Sequence, residues 1–183
     1  MFEKYLIEIC SPTLASLKTA SLFSYRYQSE KELWQTVMYW NMQMRKKGIK
    51  IAVLRVDDVR ALIYIYREAY LARDFSKPEV AGLLRYFGYE ASDIDKAIGH
   101  LRERLSDIDD FPHEIGLFLG YPVKDVMGFI IHKGSHSKYT GFWKVYGDKA
   151  EALKIFAMFD KCTRVYVNLW NQGRSIEKLT VAT

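Results

Sequence analysis

IKIAVLRV (49–56) and VRALIYIYR (59–67) are two runs of β-branched and aromatic residues that meet across Asp57 and Asp58. Two such runs joined by a short polar turn make the pattern of an antiparallel hairpin. The sheet is therefore not purely parallel, and the rest of the chain is read around that pair. Upstream, Ser29 with Glu32 forms a capping box, and Leu33, Val37, Trp40 and Met44 then recur at helical spacing until Gly48. Further upstream, KYLIEIC (4–10) reads as a short strand, followed by a helix with Ser11 at its N-cap and Pro12 in its first turn.

Downstream, Ser76 with Glu79 opens a helix that stops at Gly88. Ser92 with Asp95 opens another that carries Ile94, Ile98, Leu101 and Leu105 on one face. HEIGLFLG (113–120) reads as a central strand covered on both sides, because Ile115, Leu117 and Leu119 share one face and Phe118 takes the other. Pro122 starts a helix through Val126, Met127 and Ile130 to Gly134, and KYTGFWKVYG (138–147) supplies a final strand. Asp148 caps the last long helix, whose positions 152, 155, 156, 159, 162, 166, 169 and 170 form a wide apolar face. The expected architecture is a single layered α/β or α+β domain over residues 1–183. It has a mixed sheet of about five strands, one antiparallel hairpin among them, packed with helices.

Composition agrees with a folded body. The 183 residues are 49% hydrophobic, 15% aromatic and 27% charged, and a domain of this size buries roughly 70% of the surface of its unfolded chain. MFEKYLIEIC has no basic lead into a long apolar run, and no stretch approaches the roughly 18 apolar residues of a membrane span. Two cysteines outside any CxxC pair suit a reducing interior, so a cytoplasmic protein without a membrane partner is expected. The net charge of +5 is unevenly spread. Acids dominate residues 90–114, whereas bases gather in 45–60 and again in 132–149.

Several chemistries are disfavoured. His113 and Glu114 begin like a zinc-protease motif, but the second histidine is missing because position 117 is leucine. His132 and His136 are four apart, yet Gly134 interrupts the helix such a pair needs. No GxxxxGK[ST], GxGxxG after a strand, or GxSxG occurs, which argues against a P-loop, a dinucleotide fold and a nucleophile elbow. Cys10 reads first as a buried apolar residue and second as a thiolate nucleophile at a helix start near Lys18. Cys162 lies in the apolar face of the last helix. No catalytic residue is assigned.

The constellation that carries chemistry is HKGSHSKYTGFWK (132–144). It sets His132, Lys133, His136, Lys138 and Lys144 among Tyr139, Phe142 and Trp143. Ammonium groups beside aromatic faces suit a planar anionic ligand, flavin- or haem-like, through charge pairing and stacking. Ser11, Thr13 and Lys18 near a helix start offer a second cradle for anionic groups, and His113 sits at the rim of its segment.

CSPTLASLK (10–18), HEIGLFLGYPVKDV (113–126) and GFWKVYGD (141–148) together resemble an uncharacterised bacterial family, common in anaerobic Firmicutes, whose domain has no assigned function. The likeness spans nearly the whole chain. It implies an association with flavodoxin-like and iron-acquisition genes, hence redox or tetrapyrrole ligands. A planar anionic small molecule or cofactor is the first expectation. The second is a non-catalytic interaction with an acidic redox carrier, and a nucleic-acid partner ranks last because the acidic 90–114 stretch and the lack of a binding motif oppose it.

Overall fold

The computed structural model describes residues 2–106 and 111–182. Asp107, Asp109 and Asp110 of the acidic stretch lie outside those residues. In chain order the elements are α1 (Phe2–Glu8), α2 (Ser11–Leu14), β1 (Ala20–Arg26), α3 (Glu30–Arg45), β2 (Ile49–Asp57), β3 (Arg60–Arg67), α4 (Glu68–Phe75) and α5 (Pro78–Tyr86). There follow α6 (Ile94–Ser106), α7 (Ile115–Phe118), α8 (Val123–His132), β4 (Tyr139–Thr140), β5 (Lys144–Val145), α9 (Lys149–Asn171) and α10 (Ile176–Leu179). The class is α+β. No described helix is long and apolar enough to cross a membrane.

Two compact units share the chain. The first takes residues 1–71 and 161–183, and the second takes 72–160. The boundaries fall within α4 and α9.

In the first unit the expected hairpin is present, turning at Asp58 and Val59, one position later than the sequence suggests. A β-bulge at Leu54, between the paired residues Val53 and Arg55, shifts its register. β1 pairs antiparallel with β3 from Ala20↔Tyr66 to Arg26↔Arg60, giving the order β1-β3-β2. One face of this sheet presents Phe23, Tyr25, Ile51, Val53, Ile63 and Ile65 to the core. Helices α1, α2, α3 and α10 and the C-terminal part of α9 add to that core, with Leu33, Val37, Trp40 and Met44 as the inward row of α3. Ser29 caps α3 as its spacing predicts, accepting the Glu32 amide at 3.2 Å. The Glu32 carboxylate in turn accepts the Gln28 amide at 3.1 Å and the Tyr25 hydroxyl at 2.6 Å.

Arg67 lies fully buried at the end of β3. Its guanidinium donates to the carbonyls of Thr13 (2.7 Å), Leu14 (2.8 Å) and Val181 (2.8 Å), and Val181 returns its amide to Leu14 at 3.0 Å. One side chain thus closes the C-terminal end of α2 and holds residue 181 beside it.

In the second unit α5 stops at Gly88, which has φ +86°. Asp93 caps α6 by accepting the Lys96 amide at 3.0 Å, taking the role the sequence gives to Ser92. Pro122 precedes α8 and Asp148 caps α9, both as expected. The apolar face of α9 is shared out: Ala152, Phe156 and Phe159 are buried in the second unit, and Cys162 and Tyr166 in the first.

Two expected strands are helices. Residues 4–8 belong to α1, and Ile9 and Cys10 form the turn after it: Phe2, Leu6 and Cys10 are buried at four-residue spacing, and Tyr5 stacks on Phe23 at 5.1 Å. Packing of a helical stripe overrides the β-propensity of the isoleucines. Residues 115–118 form the short helix α7, with Ile115, Leu117, Phe118 and Leu119 all buried. A run of consecutive apolar residues has no period that separates a buried strand from a buried turn of helix. The expected final strand is a two-strand hairpin, β4 with β5. The number of strands matches the expectation, but they divide between a three-stranded and a two-stranded antiparallel sheet, in place of one mixed sheet. β1, to which the sequence reading assigns no element, completes the set.

Candidate functional site

A cavity of about 290 Å³ opens in the second unit, between the segment around α7, helix α8 and the β4–β5 hairpin. Its walls are mostly rings and aliphatic groups: Phe111, His113, Ile115, Leu119, Val126 and Phe129, with Tyr121 and Trp143 completing the aromatic lining. His113 sits 4.9 Å from Phe129 and 5.6 Å from Phe111, ring centre to ring centre. Tyr121 stacks on Trp143 at 4.8 Å, and Trp143 meets Phe156 edge-on at 4.5 Å. Phe111 and His113 are exposed at the rim, whereas Trp143 and Phe129 are half-buried.

The hairpin is fastened to α8 by Asp125. This carboxylate is buried in the first turn of α8 and accepts three hydrogen bonds, from Trp143 Nε1 (2.7 Å), the Tyr146 amide (2.8 Å) and the Gly147 amide (2.7 Å). Charged acceptors make the stronger hydrogen bonds, so the indole that walls the cavity is held in one orientation. Close contact of Tyr146 with the Gly128 backbone adds to the fastening: a Cβ at position 128 would lie 2.3 Å from Tyr146 Cγ.

Lys144 brings the positive charge. The residue is part of the cavity lining, and its Nζ lies 5.9 Å from the centre of the Phe129 ring and donates to the Gly134 carbonyl at 2.6 Å. That carbonyl follows the C-terminal end of α8, where Lys133 is left-handed (φ 48°) and Gly134 has φ +75°. The ammonium has three donors; the Gly134 carbonyl takes one. Burial pushes the Tyr121 hydroxyl up to about 12, so it stays protonated and donates to the Phe142 carbonyl at 3.4 Å.

A family model described as a protein of unknown function (DUF3793) matches residues 6–180. The chain belongs to this family. No curated protein and no solved structure matches it. The matched range runs through both units of the DUF3793 chain and contains every residue of the cavity.

Of the residues singled out in the DUF3793 sequence, His113, Trp143 and Lys144 line the cavity together. Lys138 turns its amine to the Gly147 carbonyl at 2.7 Å, and Lys133 is the exposed C-cap of α8. His132 stacks on Tyr146 at 5.6 Å and meets His136 edge-on at 6.0 Å, both histidines being exposed. Among the described residues no group of three or more His, Cys, Asp and Glu side chains is placed to hold a metal.

Ser11, Thr13 and Lys18 belong to the first unit. Ser11 donates its buried hydroxyl to the Ile7 carbonyl, and Thr13 shares a 2.8 Å hydrogen bond with Ser21. Both hydroxyls are spent on packing α2. Cys10 is buried beside them, and that burial pushes its thiol up to about 12 against the pull of Lys18 and Ser21. Fully buried and hard to ionise, Cys10 sits as a core residue.

Asp125, Tyr121 and Phe129 are site residues that sequence reading leaves out. Asp125 stands in a helix-opening PVKDV, where an acid in the first turn is ordinary. Nothing local marks it as the acceptor for an indole 18 positions away.

Proposed function

We propose that the protein binds a planar, anionic, aromatic small molecule in the cavity of the second unit, acting as one domain in the cytosol. The observation that carries this reading is the conjunction of a ring-lined hollow with Lys144 in its lining, where the one carboxylate among the described lining residues, Asp125, already accepts three hydrogen bonds from the hairpin. Small-molecule sites are mostly apolar hollows of about 300–1,000 Å³ with a few fixed polar groups. At about 290 Å³ this one stands at the lower edge of that range, which favours a flavin-like ring system over the larger haem. The ligand's ring packs among the aromatic residues of the lining, and its phosphate or carboxylate meets the remaining donors of Lys144. The free, buried thiols of Cys10 and Cys162 suit a reducing compartment.

Titration with flavin mononucleotide tests the reading, followed by thermal melting and quenching of tryptophan emission. Binding stabilises the fold by about 2.7 kcal/mol at a ligand concentration one hundred times Kd. Lys144→Met lowers affinity at least tenfold while leaving the melting temperature of the free protein within a few degrees. If neither flavin mononucleotide nor haem shifts the melting curve at millimolar concentration, the reading fails.

A further inference from the structure

Helix α3 is apolar on two sides. Its inward row of Leu33, Val37, Trp40 and Met44 is buried in the core of the first unit. On the far side Trp34, Met38 and Met42 repeat every four residues and are 50%, 65% and 66% exposed. A surface helix ordinarily has a single apolar stripe. Scattered exposed apolar residues need no explanation, but three large ones in a continuous row are a ridge shaped for the groove of another helix.

The charges around the ridge say what kind of helix. At 100° per residue, Lys31 and Arg45 fall on the line of the row, one turn before Trp34 and one turn after Met42, and both are exposed. The exposed Glu30, four residues before Trp34, stands about 80° round the helix from the centre of the row, against about 20° for each cation. At 1.5 Å per residue the two cations stand about 21 Å apart.

Geometry weighs against two other occupants. The row is only about 80° wide and is bordered by Gln35 and Asn41. The Asn41 amide is committed to the Ile51 backbone by a pair of 2.8 Å hydrogen bonds. A helix lying in a lipid surface needs a broader apolar face. A second copy packed antiparallel about Met38 sets Lys31 of each chain against Arg45 of the other, a like-charge contact that disfavours the pair.

We propose that the outer face of α3 docks an amphipathic helix of an acidic protein partner. The partner receives Trp34, Met38 and Met42 in an apolar groove, and its carboxylates, about 21 Å apart, meet Lys31 and Arg45. The two thioethers adapt their shape to the groove. This surface is independent of the cavity in the second unit.

The test uses the full chain with ¹³C-labelled methionine methyls and two synthetic 18-residue helical peptides. One has leucines at four-residue spacing with glutamates at both ends of that row, and the other has lysines in place of the glutamates. The acidic peptide is expected to shift the Met38 and Met42 methyl signals and to bind at least tenfold more tightly than the basic one. Met38→Glu weakens it at least tenfold, and the Lys31→Glu, Arg45→Glu double variant reverses the peptide preference. All three positions are exposed, and far-UV circular dichroism checks that the variants keep the fold. Equal affinity for both peptides, or no response from either methyl, overturns the proposal. So does binding to phosphatidylglycerol vesicles alone, which assigns the face to a membrane. Concentration-dependent dimerisation abolished by Met38→Glu assigns it instead to a second copy and equally overturns the proposal.

Discussion

The Trp143 indole is hydrogen-bonded to Asp125 Oδ2 at 2.7 Å, and the same carboxylate receives the amides of Tyr146 and Gly147. A single buried acid thereby joins the start of α8 to the hairpin segment that carries Trp143 and Lys144. Asp125→Ala strands three donors and costs on the order of 3 kcal/mol or more, read as a lower urea midpoint. Trp143→Phe loses only one of the three and costs about 1.5–3 kcal/mol. A cost for Asp125→Ala no larger than that of Trp143→Phe would show that the acid does not unite the hairpin with the helix.

Gly128 has no room for a methyl group, since Tyr146 Cγ and Cβ would stand 2.3 and 2.4 Å from its Cβ. Gly128→Ala must push the tyrosine ring aside and costs about 1–3 kcal/mol. Thermal melting measures the loss. The paired variant Gly128→Ala, Tyr146→Gly removes both obstructing atoms and is expected to cost less than the sum of the two single changes.

Arg67 donates to the carbonyls of Thr13, Leu14 and Val181, and at 3.4 Å to that of Lys47, from a fully buried position. Arg67→Met leaves those acceptors without their donor and lowers stability by about 3–5 kcal/mol. Arg67→Lys keeps the charge but lacks the planar fork, and recovers less than half of that loss in chemical denaturation.

Lys18 and Cys10 respond to pH in opposite directions. Burial lowers Lys18 from 10.5 to about 8, so between those values the unfolded chain holds a proton the folded one has released, and stability rises with pH. Burial raises Cys10 from 9.0 to about 12, so above 9 the folded chain keeps a proton the unfolded one loses, and stability falls with pH. Urea midpoints are therefore expected to climb from pH 7.5 to 9 and then level off. Lys18→Met removes the climb, and Cys10→Ala lets it continue above pH 9.

The elements legible in the sequence are those whose signals are local. Ser29 with Glu32, Asp148 before α9 and the two β-rich runs joined across Asp57 and Asp58 state their own structure; the two caps stand where their spacing puts them, and the hairpin turns one position later. Residues 2–8 and 115–118 are decided by what they pack against, and β-branched or unbroken apolar runs do not carry that information. β1 is obscured for a related reason: Ser21 is buried on the same face as Phe23 and Tyr25, so polarity does not alternate with position. In the site, Trp143 and Lys144 are recognisable as a ring and a cation side by side. Asp125 is not, because its three partners lie 18 to 22 positions away and only the folded hairpin brings them to it. Ser11, Thr13 and Lys18 carry the right donors for an anion but fall in the other unit, where the two hydroxyls are already engaged.

The grip of Arg67 on Val181, 114 positions downstream, has a bearing on biosynthesis. Residues 72–160 form one uninterrupted stretch, so that body has all its parts as soon as they clear the ribosome. The sheet translated ahead of it must stay unfinished, its arginine waiting for a carbonyl not yet made. The portion synthesised first is therefore the last to be completed.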